Sequence, residues 1–351
     1  MNSSHHPVVQ LQNDTACLTI DPFGGATTSF RLQANDVNPL SFVFSKEQMP
    51  SNNKAGASYQ GHFTCIGRWG PPSAGEISAG VPDHGEPANI AWTIEESGRN
   101  KMAMNVLAKK EGLKVCRKIL MDQNNPVYRI SEMMTNINPL GRLYNIVQHP
   151  TIAAPFLDEN TIVDCNATKG FDQALYKNIL ANTIEWPLAK HEPGNDLDLR
   201  NLDAAYNSVY SFVVNPDDSY GWITAFSPTH HLVFGYIWKR SHYAWIHLWQ
   251  HFINDKITYR GLEFGTAGIH QPFAEILDTA TTVFGEKTYE YIDAGETVSK
   301  DYFSFLHSTS NEFIGVENVY FAKDELIIKS KGGVDDVHIK LSQQLASELP
   351  G

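Results

Sequence analysis

Apolar and polar residues alternate with a period of two along much of the chain. Ile90, Trp92 and Ile94 share one face, as do Met102, Met104 and Val106, and then Val115, Arg117, Ile119 and Met121. This period places successive side chains on opposite sides of an extended strand, so one side faces a core. Polar turns separate the runs at a spacing of about ten residues. Asp122, Gln123, Asn124, Asn125 and Pro126 form one such turn, and residues 127–133 resume the strand pattern. Earlier, residues 8–11 and 16–20 flank Asn13 and Asp14, which predicts a hairpin. Gly24 and Gly25 suit a tight turn before the strand of Thr28, Phe30 and Leu32. Further strands are predicted over 220–226, 232–238, 244–249, 279–284 and 298–306, with a hairpin near 319–330 and a short helix over 341–349. Trp245, His247 and Trp249 fall on one face. The pattern predicts an all-β fold, an antiparallel β-sandwich or barrel.

Two stretches break the rhythm. Residues 45–89 are rich in Gly, Pro, Ser and Asn and show no period, yet carry Tyr59, His62, Arg68, Trp69, His84 and Glu86. Long loops with such content are more often functional than disordered. Residues 158–205 are also irregular; Phe171, Leu175 and Ile179 sit at helical spacing, and 190–202 reads as a surface loop. No repeat or compositional break divides the chain, so residues 1–351 are expected to form a single β-sandwich domain with irregular insertions at about 45–89 and 158–205.

Composition narrows the function. The 351 residues carry a formal net charge of −12 without a cluster of Lys and Arg, which argues against nucleic acid. Cys17, Cys65, Cys116 and Cys165 have neither CxxC nor zinc-finger spacing, so they are expected as free thiols in a reducing compartment. The first residues lack the pattern of a secretory leader and no apolar run is long enough to span a bilayer, so a cytoplasmic location without membrane partners is the default. Nucleotide-binding glycine motifs, GxSxG and HExxH are missing, so no nucleotide-phosphate cradle is evident.

The candidate chemistry rests on three residues. Glu263 lies between Leu262 and Phe264, which point the opposite way in an extended segment, so the carboxyl faces a cavity while its neighbours face a core. A carboxyl there can be tuned as a general base. The bland alternative is an edge carboxylate paired with Arg260 or with a backbone amide. His149 precedes Pro150, which holds it extended. His84 sits among Asp83, Gly85 and Glu86 directly before a strand. An isolated histidine is more often structural than catalytic, so the case depends on convergence. Arg68 beside Trp69 suits either a loop ion pair or a ligand hydroxyl.

These residues together resemble the aldose 1-epimerase (galactose mutarotase)-like family. Asp21 to Gly25 with Ser29 to Leu32 is similar to the family's opening. Asp83, His84, Gly85 and Glu86 look like its His-Gly loop, and Gln148, His149, Pro150 and Thr151 like its second-histidine segment. Tyr243 to Trp249 resembles the aromatic strand before the Glu segment, Gly261 to Thr266. The resemblance covers about 8–306 and implies a large antiparallel supersandwich acting on a small-molecule carbohydrate. It implies Glu263 as general base, His149 as general acid and His84 as the group that polarises the ring, a chemistry that needs no metal and no redox cofactor. Arg68, Glu86 and Trp245 are the expected substrate-binding residues. The family's substrate-binding Asp has two candidates, Asp164 and Asp255. The second histidine lies in Gln-His-Pro-Thr where the family has Asn-His-Thr. A non-catalytic carbohydrate-binding protein and a sugar-phosphate epimerase are the alternatives, and a homodimer is an assembly left open.

Overall fold

The computed structural model describes residues 7–192, 195–201 and 205–349. Strands β1 (Val9–Gln12) and β2 (Ala16–Asp21) form the expected hairpin. Asn13 closes it, its Oδ1 accepting the N–H groups of Thr15 and Ala16 at 2.8 and 2.7 Å. Strand β3 (Ala26–Leu32) pairs with β2, and β4 (His62–Ile66) lies beside it. A meander follows: β5 (Thr93–Ser97), β6 (Lys101–Ala108), β7 (Leu113–Met121) and β8 (Val127–Asn136). Then come β9 (Ile146–Ala153), β10 (Ile162–Cys165), β11 (Ala167–Asp172), β12 (Ser208–Val214), β13 (Tyr220–Ser227) and β14 (Leu232–Lys239). Strands β15 (Trp245–Ile253), β16 (Lys256–Gly265) and β17 (Thr297–Ser308) complete the two main sheets.

Among the described residues one sheet has twelve strands and the other eight. The larger runs β1-β2-β3-β4-β9-β16-β15-β12-β11 and ends in the short strands Ile184–Glu185, Leu188–Glu192 and Asn195–Asp198. The smaller runs β10-β13-β14-β17-β8-β7-β6-β5. Neighbours pair antiparallel, which makes this the all-β antiparallel sandwich that the alternation predicts. The inward positions of β6 and β7 fill the space between the sheets with Met102, Met104, Val106, Val115 and Ile119, against Phe30, Leu248, Leu262 and Phe264. Each such buried side chain stabilises the fold by roughly 1.5–3 kcal/mol.

Arg117 and Glu132 also point inward, directly opposite each other on β7 and β8. Their ion pair (2.6 Å) is buried and fully engaged. Arg117 also donates to Thr64 Oγ1 at 2.8 Å, and Gln148 Nε2 donates to Glu132 Oε2 at 2.7 Å. Gln148 Oε1 accepts from Thr64 Oγ1 at 3.0 Å and lies 3.1 Å from His62 Nε2. A buried charge pair survives only when such bonds satisfy it. Here they bolt β4 and β9 to the opposite sheet.

The C-terminal strands β18 (Val316–Ala322), β19 (Glu325–Ser330) and β20 (Val337–Lys340) form a small sheet packed on the outer side of the eight-stranded one. A short helix, Gln343–Ala346, follows, as expected. Among the described residues no helix is long and apolar enough to cross a membrane. All four cysteines are free.

The two irregular stretches contain more structure than their sequence shows. Residues 45–89 include β4, whose five residues are all buried and so leave no alternation to read. They also include a capped helical turn, Ala74–Ser78. Residues 158–205 include β10, β11 and the short edge strands. The helix expected from Phe171 is a 3-10 segment, Gln173–Asn182, and Phe171 itself is in β11. The loop expected over 190–202 is mainly a hairpin; residues 193, 194 and 202 lie outside the described residues. The strand expected over 279–284 is only Thr282–Val283, after the helix Phe273–Thr279.

Candidate functional site

The strand register builds the site. Ser211 faces His247 between β12 and β15, and His247 faces Glu263 between β15 and β16. The pairs Gln148 with Phe264 and Thr151 with Gly261 bracket His149 opposite Glu263. His149 in turn faces Phe63 on β4. Ser211, His247, Glu263, His149 and Phe63 thus form one row across five strands, on the side turned away from the other sheet. Phe264 and Gln148 point the opposite way; Phe264 stacks on Trp238 at 4.1 Å and Gln148 joins the Arg117 network.

Turn geometry sets this row. Asn254 and Asp255 join β15 to β16 with φ of 51° and 61°, the left-handed pair of a tight hairpin. A one-residue bulge between His251 and Phe252 then shifts the register so that His247 meets Glu263. Gly261 opposes Trp249 in the next row. A Cβ added there would come within 2.8 Å of Glu263 Oε1 and 3.1 Å of Trp249 Cβ, so the carboxyl occupies space that only glycine leaves open.

Two loops supply His84 and the walls. His84 has a φ of 59°, and Gly85 follows at 83°. A Cβ on Gly85 would meet Ile66 O at 2.2 Å, so the loop presses directly on β4. Glu86 Oε2 accepts the backbone N–H of Lys110 at 2.6 Å, and Glu111 Oε2 accepts that of Glu86 at 2.6 Å. This reciprocal clamp holds the His84 loop in place. Phe42, Phe44, Gln48, Pro50 and Tyr59 come from the loop before β4, and Trp69 from the loop after it. With Phe63, Val209, Trp249 and His270 they enclose a cavity of about 260 Å³ that also contains His84, His149 and Glu263.

His149 Nε2 lies 3.2 Å from Glu263 Oε1, and its Nδ1 lies 3.2 Å from Thr151 Oγ1. Glu263 Oε2 is buried without a hydrogen-bond partner. Burial pushes the Glu263 carboxyl well above the usual carboxylate range, against a smaller opposing effect of the Trp69 indole. Burial holds His149 well below an ordinary imidazole, helped by nearby His270, His62 and His247. The pair therefore holds one proton between two groups. His84 Nδ1 accepts the Gly70 N–H at 3.2 Å, which leaves Nε2 as the protonated nitrogen of a neutral ring. Its pKa is also held well below normal, by burial and then by His270 and His149.

His247 and His270 complete the cluster and were not singled out as chemistry from sequence. His247 Nδ1 lies 2.7 Å from Ser211 Oγ, its Nε2 is unpartnered, and Trp69 stacks on it at 4.0 Å. His270 lies edge-on to Trp69 at 4.7 Å, with its pKa lowered by burial to about 4. Position 247 was legible on the same face as Trp249; its partnership with Glu263 depends on the bulge. Among the described residues no group of three or more His, Cys, Asp or Glu has the geometry to hold a metal ion.

The structure brings Glu263, His149 and His84 together. It places the three expected substrate-binding residues outside the cavity lining. Arg68 is buried and ion-paired with Glu76, and donates to Pro71 O at 3.2 Å. Glu86 is consumed by the loop clamp. Trp245 donates its indole N–H to Lys287 O at 2.8 Å and packs under Phe171. Asp164 binds Arg200 at 2.6 Å and the Val316 N–H at 2.9 Å, tying in the C-terminal sheet, and Asp255 is in the hairpin turn. Glu263 does not pair with Arg260, whose guanidinium reaches the carbonyls of Leu199 and Arg200.

No family model and no curated protein matches the chain. Solved structures do. A galactose mutarotase related enzyme from Lactobacillus acidophilus superposes with a TM-score of 0.61 at 11% identity, over 87% of this chain and 99% of that one. A galactose mutarotase-like protein from Clostridium acetobutylicum gives 0.57 at 12% identity, over 88% and 97%. Another from Lactobacillus casei gives 0.53 at 11% identity, over 86% and 100%. At such identities the likeness is one of architecture, and the chain has the galactose mutarotase-like β-sandwich fold.

Proposed function

We propose that this protein is an isomerase of the aldose 1-epimerase type, interconverting sugar anomers through the open-chain aldehyde. The observation that carries the reading is the His149 and Glu263 pair, 3.2 Å apart and buried in a cavity walled largely by aromatic rings. Anomer exchange needs a proton removed from the anomeric hydroxyl and one delivered to the ring oxygen, two atoms on the same carbon. Adjacent groups holding one proton between them suit that exchange.

In this scheme the pair's proton, which burial keeps on Glu263, passes from Oε1 to His149 Nε2 as the sugar binds; Glu263 Oε1 then takes the anomeric proton while His149 Nε2 protonates the ring oxygen. The C1–O5 bond breaks and C1 becomes an aldehyde. Rotation about C1–C2 exposes the other face. On closure the protonated Glu263 returns its proton to the aldehyde oxygen, and His149 takes the C5 hydroxyl proton as the C1–O5 bond reforms. His84, neutral with its proton on Nε2, donates to a ring substituent and fixes the sugar. The proton count is restored after each cycle, so the exchange consumes nothing.

Polarimetry on freshly dissolved α-anomers tests this: the approach to equilibrium should accelerate with enzyme, and Glu263→Gln should abolish the acceleration. A Gln variant as active as the wild type would remove Glu263 from the mechanism. The removal of Arg68 and both candidate Asp residues from the cavity favours one second reading, a sugar-binding protein without turnover. Calorimetry would then show heat of binding with no change in rate. A sugar-phosphate substrate has less support, since among the described residues no Lys or Arg lines the cavity.

A further inference from the structure

The cavity walls say more about the ligand than the catalytic pair does. A hexose ring bound for the proposed reaction places O1 and O5 at Glu263 and His149. Its remaining hydroxyls need partners from the rest of the lining, where the polar groups left are the side chains of His84, His270 and Gln48 and the indole N–H groups of Trp69 and Trp249. The Tyr59 hydroxyl is already committed, donating to Asp83 O at 2.8 Å. Arg68, the obvious hydroxyl ligand, is sealed by Glu76 and Pro71.

The apolar surface is also concentrated where one substituent of the ring must lie. C6 is attached to C5, the neighbour of O5, so it falls close to whatever flanks His149. Phe63 stacks on His149 at 4.3 Å, and Trp249 lies edge-on to it at 6.1 Å. Phe42 and Phe44 pack edge-on against Trp249 at 6.0 and 6.1 Å and extend this wall. A hydroxymethyl group there would exchange water for ring carbons, whereas a methyl group would gain contact.

We propose that the site prefers 6-deoxyhexoses over the corresponding hexoses; this rests on the isomerase reading and specifies its substrate class. The deoxy sugar keeps the anomeric hydroxyl and ring oxygen that the chemistry needs and loses the hydroxyl for which the rings of Phe42, Phe44 and Phe63 offer no partner. Apolar pockets discriminate against one added hydroxyl by about 100-fold at best, so a preference of about 10- to 100-fold is expected.

The test compares sugars of matched configuration, D-fucose with D-galactose and 6-deoxy-D-glucose with D-glucose, by polarimetry and by quenching of tryptophan fluorescence. A higher kcat/KM for the 6-deoxy member of an active pair, reduced in Phe44→Gln, supports the inference. Equal or faster turnover of the hydroxymethyl sugars overturns it and leaves the isomerase reading intact. Tighter binding of the deoxy sugars without acceleration of any sugar supports the ligand class and removes the isomerase reading. Absence of both binding and turnover overturns both.

Discussion

Glu263 engages His149 through Oε1, while Oε2 is buried with no hydrogen-bond partner from the protein. An unpaired buried acceptor is costly, and a bound hydroxyl is the kind of group that would relieve it. Glu263→Gln keeps the shape and removes the proton exchange. Polarimetry should show a loss of about 10²- to 10⁴-fold in kcat, the usual span for one general acid–base group.

The same pair sets a pH profile. Its one-proton form exists between the lowered pKa of His149 and the raised pKa of Glu263. Below that window His149 takes a second proton and no base remains. Above it the carboxyl ionises and no acid remains. The kcat/KM profile should have an acid limb below the ordinary imidazole value and an alkaline limb well above the ordinary carboxyl value. A profile falling on either side of a maximum near pH 4.5 would contradict this arrangement.

Gly261 gives a test through space rather than chemistry. In Gly261→Ala the new Cβ displaces the flexible end of Glu263, because the strand opposite carries the bulkier Trp249. A shift of about 1 Å at a reacting group costs about 10²-fold. Mutarotation should fall by that order while the thermal midpoint stays close to wild type.

Behind the site, Glu132→Ala should act on stability. It leaves the Arg117 guanidinium unpaired between the sheets and takes the acceptor from Gln148 Nε2. The expected loss is about 3–5 kcal/mol in urea unfolding. A loss below about 1 kcal/mol would mean that water enters the network.

Stability should also fall in acid. Burial lowers His62 to about 3 and His270 to about 4, and holds His84, His149 and His247 well down. These groups are neutral in the fold yet protonate near 6.5 when unfolded, so their contribution is present above about pH 6.5 and is lost as the pH falls toward their folded values. Glu111, raised by burial to about 7, runs the other way between about 4.5 and 7, as does the raised Glu263. Burial also lowers His251 and raises Asp83 and Asp172, so six histidines stand against four carboxyls and the net slope is positive. Thermal midpoints should rise from pH 4.5 to 6.5.

Much of this is legible in the amino-acid sequence. Alternation identified the inward face of Val115, Arg117 and Ile119, and the setting of Glu263 between Leu262 and Phe264 put its carboxyl on the opposite side from the core. What failed did so for identifiable reasons. Strand β4 is buried on both faces and carries no period. Arg68 looked like a hydroxyl ligand, yet Ser73 and Glu76, spaced as a capping box, place a carboxylate within its reach. Trp245 and Trp249 share a face, and only long-range packing puts the first under Phe171 and the second at the cavity. The likeness to mutarotase structures is one of strand arrangement, and the cavity's apolar wall combines Phe42 and Phe44 from the loop before β4 with Phe63 on β4 and Trp249 on β15.

The tight turn and bulge between β15 and β16 have a consequence for how this gene can vary. Side chains at Asn254 and Asp255 can change wherever the left-handed backbone is still allowed. A change in their number cannot be absorbed so easily. Deleting one residue there slides β16 by one place, and a slide of one place turns every side chain to the other side of the sheet. Leu262 or Phe264 would then stand where Glu263 stands now, and the carboxyl would be driven into the core. The site is thus more exposed to a one-codon deletion in a turn far from the cavity than to many substitutions near it.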